Sequence, residues 1–375
     1  MPDKTIYQQL REDGLSRRDF VKFCGLLSGM IGLEFSAAGK ALGAAAGRAP
    51  ADVVAQALKT KPRLPVIWLE LQDCAGCTEA ISRSTSPSLS NLVLNRIAID
   101  YQETLMAAAG AQAEEAKRAT MAKYRGQYVL VVEGSPTVFQ GGAFCTIGGR
   151  SNLEILKEAA EGAAAVIATG NCAAFGGLPR AHPNPTGAHA VMDIITDKPV
   201  INIPGCPAIP DVTTGVIVHF LVLGTLPKTD GLKRPLAFYG HTIHDHCLRR
   251  PFHEAGRFAA DFGGRSAREG WCLYKLGCKG PTTYNACSSL KWERGLSFPV
   301  QSGHPCLGCS EPKFWDGGGF YQGQSAPLNR PGKVDVGLAV GAGAILGGAL
   351  AVANRAGKKR GVAKSEAVPP KGKAE

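Results

Sequence analysis

The sequence predicts an α/β chain: a doubly wound parallel sheet of flavodoxin type, followed by a cysteine-rich, mostly irregular and helical region. Three observations carry this. Five short runs between Pro65 and Pro227 are apolar on both faces, the pattern of strands covered by helices on each side. Helix-compatible stretches alternate with them, as βα units require. From about Gly231 the apolar periodicity fades, and cysteine, glycine and aromatic residues dominate through Phe320.

In order, strands are predicted over 65–71 (PVIWLEL), 93–100 (VLNRIAID), 128–133 (YVLVVE), 164–169 (AAVIAT) and 199–203 (PVINI), with helices over 103–123, 151–162 and 211–223. Binding residues in such sheets gather where strands end and helices begin. The turns Cys74-Ala75-Gly76-Cys77, Glu133-Gly134-Ser135-Pro136, Gly170-Asn171-Cys172 and Pro204-Gly205-Cys206-Pro207 each follow a predicted strand, so they should converge on one edge. The region after Thr229 is too poor in regular core to fold on packing alone, and metal centres would act as its staples. The expected layout is a leader over 1–46, the sheet domain over 47–229, a cysteine-rich domain over 230–330, and a membrane-anchor candidate with a basic tail over 331–375.

With 375 residues, 45% of them apolar, the chain can bury two ordinary cores. Its formal charge of +11 is concentrated at the end: the last 22 residues hold seven basic against two acidic side chains and supply +5. No basic stripe interleaved with aromatics remains, which argues against nucleic acid as a partner.

Both termini point to a membrane. Ser16-Arg17-Arg18-Asp19-Phe20 precedes an apolar stretch to Ala38 and small residues around 41–47, the pattern of a twin-arginine export signal. Residues 336–353 (VGLAVGAGAILGGALAVA) are uncharged and apolar or small, near the short limit of a transmembrane helix of about 20 residues. Gly337, Gly341, Gly343 and Gly347 give the small-xxx-small spacing of close-packed membrane helices, and the basic flank fits a cytoplasmic end.

Of twelve cysteines, Cys24 lies in the leader and eleven remain. In an oxidising compartment disulfides are the default, so spacing must arbitrate. Cys74-x-x-Cys77, His244-Asp245-His246-Cys247, Cys272, Cys278, Cys287 and Cys306-Leu307-Gly308-Cys309 cluster as soft ligands do around iron and sulfide. Cys145, in Phe144-Cys145-Thr146, reads as a small buried apolar residue. No further pair of Cys-x-x-Cys motifs is left over for another metal centre.

Pro204-Gly205-Cys206-Pro207, His244-Asp245-His246-Cys247, the stretch from Gly277 to Cys287 and Cys306-Leu307-Gly308-Cys309-Ser310-Glu311 together resemble the small, iron-sulfur subunit of a membrane-bound periplasmic nickel-iron uptake hydrogenase. The resemblance implies a proximal 4Fe-4S cluster on Cys74, Cys77, Cys172 and Cys206, and a distal 4Fe-4S cluster on His244, Cys247, Cys272 and Cys278. His241 and His246 are close enough to be confused with His244, and the spacing to Cys247 favours His244. A medial 3Fe-4S cluster would take Cys287, Cys306 and Cys309, with Pro299 at the position where a fourth ligand would otherwise stand. Gly76 and Gly177 match the positions of the extra cysteines of oxygen-tolerant relatives, which implies an ordinary proximal cluster and an enzyme inactivated by oxygen. Glu133 would lie beside that cluster or simply cap nearby backbone.

The resemblance places a nickel-iron centre on a separate large subunit, with electrons passing through this chain to a membrane cytochrome b and the quinone pool. The 336–353 segment is shorter and less hydrophobic than the family's anchor, which leaves another quinone-linked partner or a periplasmic cytochrome as acceptor. Export by the twin-arginine route would set the chain on the periplasmic face of the inner membrane. The alternatives are an iron-sulfur subunit of another quinone-linked respiratory complex, which carries a single cluster, and a disulfide-stapled exported binding protein.

Overall fold

The computed structural model describes residues 4–12, 16–30, 49–84 and 97–322. Strands β1 (Leu64–Glu70), β2 (Ile97–Gln102), β3 (Val129–Glu133), β4 (Ala165–Thr169) and β5 (Val200–Ile203) form one parallel sheet in the order β2-β1-β3-β4-β5. This is a doubly wound order that reverses between β1 and β3, and ligands in such sheets bind outside the strand ends at that switch point.

Alternation of side chains sorts each strand onto two cores. Val66, Trp68, Val129, Val131, Ile167, Ile201 and Ile203 face one helical layer, while Ile67, Leu69, Leu130, Val132, Val166 and Val200 face the other. With both faces covered, β3 and β4 are buried at every position.

Eight helices matter here: α1 (Ile6–Glu12), α2 (Arg17–Met30), α3 (Pro50–Thr60), α4 (Gly76–Ile81), α5 (Ala111–Lys123), α6 (Asn152–Glu161), α7 (Gly170–Phe175) and α8 (Pro210–Leu223). α8 is apolar all round and correspondingly buried, starts on a proline whose missing N–H costs nothing there, and ends on Gly224 at φ 72°. α6 is capped by Ser151, whose hydroxyl accepts from the Glu154 N–H at 3.3 Å. The helix expected over 103–123 begins only at Ala111. Gln102 accepts the Leu105 N–H on its side chain and the Met106 N–H on its carbonyl, holding a turn there, and Gly110 at φ 57° delays the helix further.

Within the segment read as a leader, Ile6, Leu10, Phe20, Cys24 and Leu27 are buried in the same core as Val54 and Leu58 of α3 and Val212 of α8, while Arg17 and Arg18 stay exposed. From residue 230 to 322 the chain is built of turns and helices of three to five residues, yet Tyr239, Ile243, Leu273, Phe298 and Val300 join the core beneath the sheet. Among the described residues no helix is long and apolar enough to cross a membrane, and the 336–353 segment lies outside them.

Candidate metal centres

Strand register explains why four distant cysteines meet. Glu70 pairs with Glu133, Glu133 with Thr169 and Thr169 with Ile203, so four parallel strands end at one level and their following turns leave from one edge. Cys74 follows β1, Cys77 lies in the first turn of α4, Cys172 opens α7 and Cys206 follows β5. Ala75 sits at φ 54°, reversing the chain between the first two. Gly170, at φ 84°, leaves room for a thiol: a Cβ there would stand 2.5 Å from the Sγ of Cys77. Gly177, at φ 53°, does the same for Cys172, whose Sγ its Cβ would strike.

The four thiols are electrostatically one site. Burial, then Glu133, then Cys172 and Cys206 push Cys77 well up. Cys172 is pushed up to about 11 by burial, with Cys74 adding to it, and Cys206 to about 12 by burial, then Cys172 and Cys309. Cys77, Cys172 and Cys206 thus hold their protons at neutral pH. A cationic inorganic core would displace the protons and satisfy all four, which is what this donor set fits.

Glu133 is 2% exposed, and its two oxygens accept from the Cys77 N–H at 2.8 Å and the Thr78 hydroxyl at 2.7 Å. It is therefore a strand-end carboxylate capping the first turn of α4 and fixing one cysteine of the site. Glu70 and Asp73 bring their carboxylates within 4.8 Å of it. Burial first, then Glu133 and Glu70, raise Asp73 to about 7. Neither was singled out from sequence, because an acid near a strand end carries no signal until the strands are paired.

The second donor set lines a cavity of about 510 Å³ that includes Cys287, Cys306, Cys309 and Pro299. Proline presents only ring carbons on its side, so that position offers the cavity no donor atom. Burial holds Cys287 up to about 12 and Cys306 well above its ordinary value. Cys206 of the first set lines the same cavity.

The third set is His244, Cys247, Cys272 and Cys278, all lining one closed pocket with Tyr274, Pro281 and Val300. Burial, then His253, lowers the His244 imidazole and so favours the neutral ring that a metal needs. His241 and His246 are exposed and pack on each other with ring centroids 5.0 Å apart, outside that lining. Arg249 is buried beside the thiols, donating to the carbonyls of Val300 and Trp271 at 2.8 Å each, and its charge offsets theirs. The Cys306 N–H donates to the Sγ of Cys278 at 3.3 Å, joining the second set to the third.

None of the twelve cysteines is paired in a disulfide. Cys145 is half-buried against the second core, its thiol pushed up to about 11 by burial and then by Asp73 and Glu103, and Cys24 is buried in α2.

Residues 239–322 match the family model described as the C-terminal part of the NiFe/NiFeSe hydrogenase small subunit, and residues 74–220 match that of the NADH ubiquinone oxidoreductase 20 Kd subunit. The chain is 48% identical over 319 residues to an uptake hydrogenase small subunit of Azotobacter vinelandii, covering 85% of this chain and 86% of that one. It is 48% identical to a hydrogenase-1 small chain of Escherichia coli, covering 85% and 82%, and 45% identical to an uptake hydrogenase small subunit of Cupriavidus necator over 97% and 99%. Among solved structures it resembles a reduced, active NiFeSe hydrogenase of Desulfomicrobium baculatum, with a TM-score of 0.66 and 32% identity over 70% of this chain and 100% of that chain.

Proposed function

The chain belongs to the small-subunit family of nickel-iron hydrogenases, and we propose that it holds two 4Fe-4S clusters and one 3Fe-4S cluster on ten cysteines and His244, serving as the electron relay of the enzyme. Its family pairs it with a nickel-iron large subunit, where hydrogen is oxidised. Iron-sulfur clusters, when bound, supply one-electron carriers whose potentials depend on ligand charge and surroundings. The remaining work belongs to the protein. Cys74, Cys77, Cys172 and Cys206 present four thiolates beyond the ends of the parallel strands; Cys287, Cys306 and Cys309 present three in a cavity that Pro299 also lines; and His244 with Cys247, Cys272 and Cys278 presents a less negative set beside the cation of Arg249. The observation that carries the reading is the gathering of eleven donors into three neighbouring sites, with Cys206 of the first lining the cavity of the second and the Cys306 N–H joining the second to the Sγ of Cys278 in the third.

On this reading electrons enter at the four-cysteine site and leave by His244, toward a membrane cytochrome b and the quinone pool, or toward a periplasmic cytochrome. The exposed Arg17-Arg18 pair ahead of an apolar stretch and the apolar 336–353 segment support export by the twin-arginine route to the periplasmic face of the inner membrane. Gly76 and Gly177 put no cysteine at either of these two positions, which favours an enzyme inactivated by oxygen.

The match over 74–220 raises a second reading, a respiratory-complex subunit with one cluster, but the second and third donor sets and the match over 239–322 have no place in it. Iron and acid-labile sulfide analysis of the native complex tests this. About eleven irons per chain are expected; about four would favour the second reading, and none would sink both.

A further inference from the structure

Asn171 stands between Gly170 and Cys172 at the start of α7 and is 2% exposed. Its side-chain amide donates to the carbonyl of Cys309 at 2.9 Å and to that of Glu311 at 3.1 Å. Its backbone N–H donates to the carbonyl of Gly205 at 2.7 Å, next to Cys206. One buried residue thus fastens the turns carrying Cys172 and Cys206 to the turn carrying Cys309, across the junction between two donor sets.

The residue type suits the task. An amide offers two N–H donors in one plane, enough for two carbonyls of a single turn, whereas a hydroxyl offers one and a carboxylate would set oxygen against oxygen. Electron tunnelling falls steeply as the gap between carriers widens, so whatever fixes the separation of these turns fixes the rate of passage.

We propose that Asn171 is a positioning residue for electron passage, setting the gap between the site of Cys74, Cys77, Cys172 and Cys206 and the site of Cys287, Cys306 and Cys309. The inference rests on the cluster assignment above. One electron leaves the first site as one arrives at the second, and no bond in the chain is made or broken.

The test uses the assembled enzyme with its large subunit, comparing wild type with Asn171→Ala and Asn171→Leu, the second of which keeps the volume while removing both donors. Iron per chain, the potentials of both sites, their magnetic interaction by EPR, and the rate at which the three-thiolate site is reduced after mixing with hydrogen are measured. The expected result is wild-type iron content with a weakened spin–spin interaction and slower arrival of the electron in both variants. Unchanged interaction and arrival in iron-replete variants would overturn the proposal, as would loss of iron from either site in both, since the residue would then retain metal rather than set a gap. A wild-type enzyme without two distinct iron signals would instead bring down the cluster assignment itself.

Discussion

The backbone N–H of Cys306 points at the Sγ of Cys278, 3.3 Å away, although the two cysteines belong to different donor sets. A hydrogen bond to a ligand sulfur draws off negative charge and raises the potential of the group it holds. The contact also ties neighbouring sites together through a backbone donor.

The three-thiolate site is expected to accept a fourth ligand. Pro299 lines the same cavity as Cys287, Cys306 and Cys309. Pro299→Cys should convert that centre to a four-iron cluster and lower its potential. An EPR signature unchanged from wild type, in variant protein with full metal content, would count against the assignment.

Three histidines within six residues should behave differently. His244 lines the pocket of Cys247, Cys272 and Cys278, while His241 and His246 pair with each other outside it. His244→Ala is expected to remove or alter the signal of that site and block electron delivery to an external dye. His241→Ala and His246→Ala should leave the signal intact, and the reverse pattern would move the ligand.

Gly177 should tolerate no side chain. Its φ is 53°, and a Cβ would run into the Sγ of Cys172 and lie 2.7 Å from that residue's Cα. The backbone strain alone costs about 1–3 kcal/mol. Gly177→Ala is expected to lose iron from the four-cysteine site while the signals of the other two persist; full occupancy with a wild-type spectrum would show that the turn relaxes.

Metal removal should leave a pH-dependent fold. Burial first holds Cys172 and Cys272 up to about 11 and Cys206 and Cys287 up to about 12 in the folded chain. Unfolded thiols ionise near about 8.5. The folded state therefore keeps protons that the unfolded chain gives up, so stability is full below about 8.5 and falls as pH rises toward 12. Urea midpoints of the chelator-stripped chain should drop as pH rises above about 8.5, whereas the metal-loaded chain should lack that slope. A flat profile for the stripped chain would mean that these thiols are not held as described.

Much of the sheet was legible because burial on both faces leaves continuous apolar runs such as 128–133 and 164–169, and those runs became β3 and β4 within a residue. The start of α5 was not, because the turn held by Gln102 depends on one side chain folding back onto the backbone N–H of Leu105. Cys74 and Cys77 announced themselves by spacing. Asp73, Glu70 and Asn171 did not, since their roles arise from neighbours 60 or more residues away in sequence for Glu133 and over a hundred for Cys309.

From its residues alone the chain determined which atoms could bind iron, because thiol and imidazole spacing is a local property, and which segments form the parallel sheet, because apolar periodicity is local too. Only the tertiary structure brings donors distant in the chain side by side. Aligned strand ends gather Cys74, Cys77, Cys172 and Cys206, Asn171 draws Cys309 toward them, and His244 rather than His241 or His246 faces the third pocket. Those outcomes depend on contacts between residues far apart in the chain, which exist only once the backbone has closed its hydrogen bonds and buried its core.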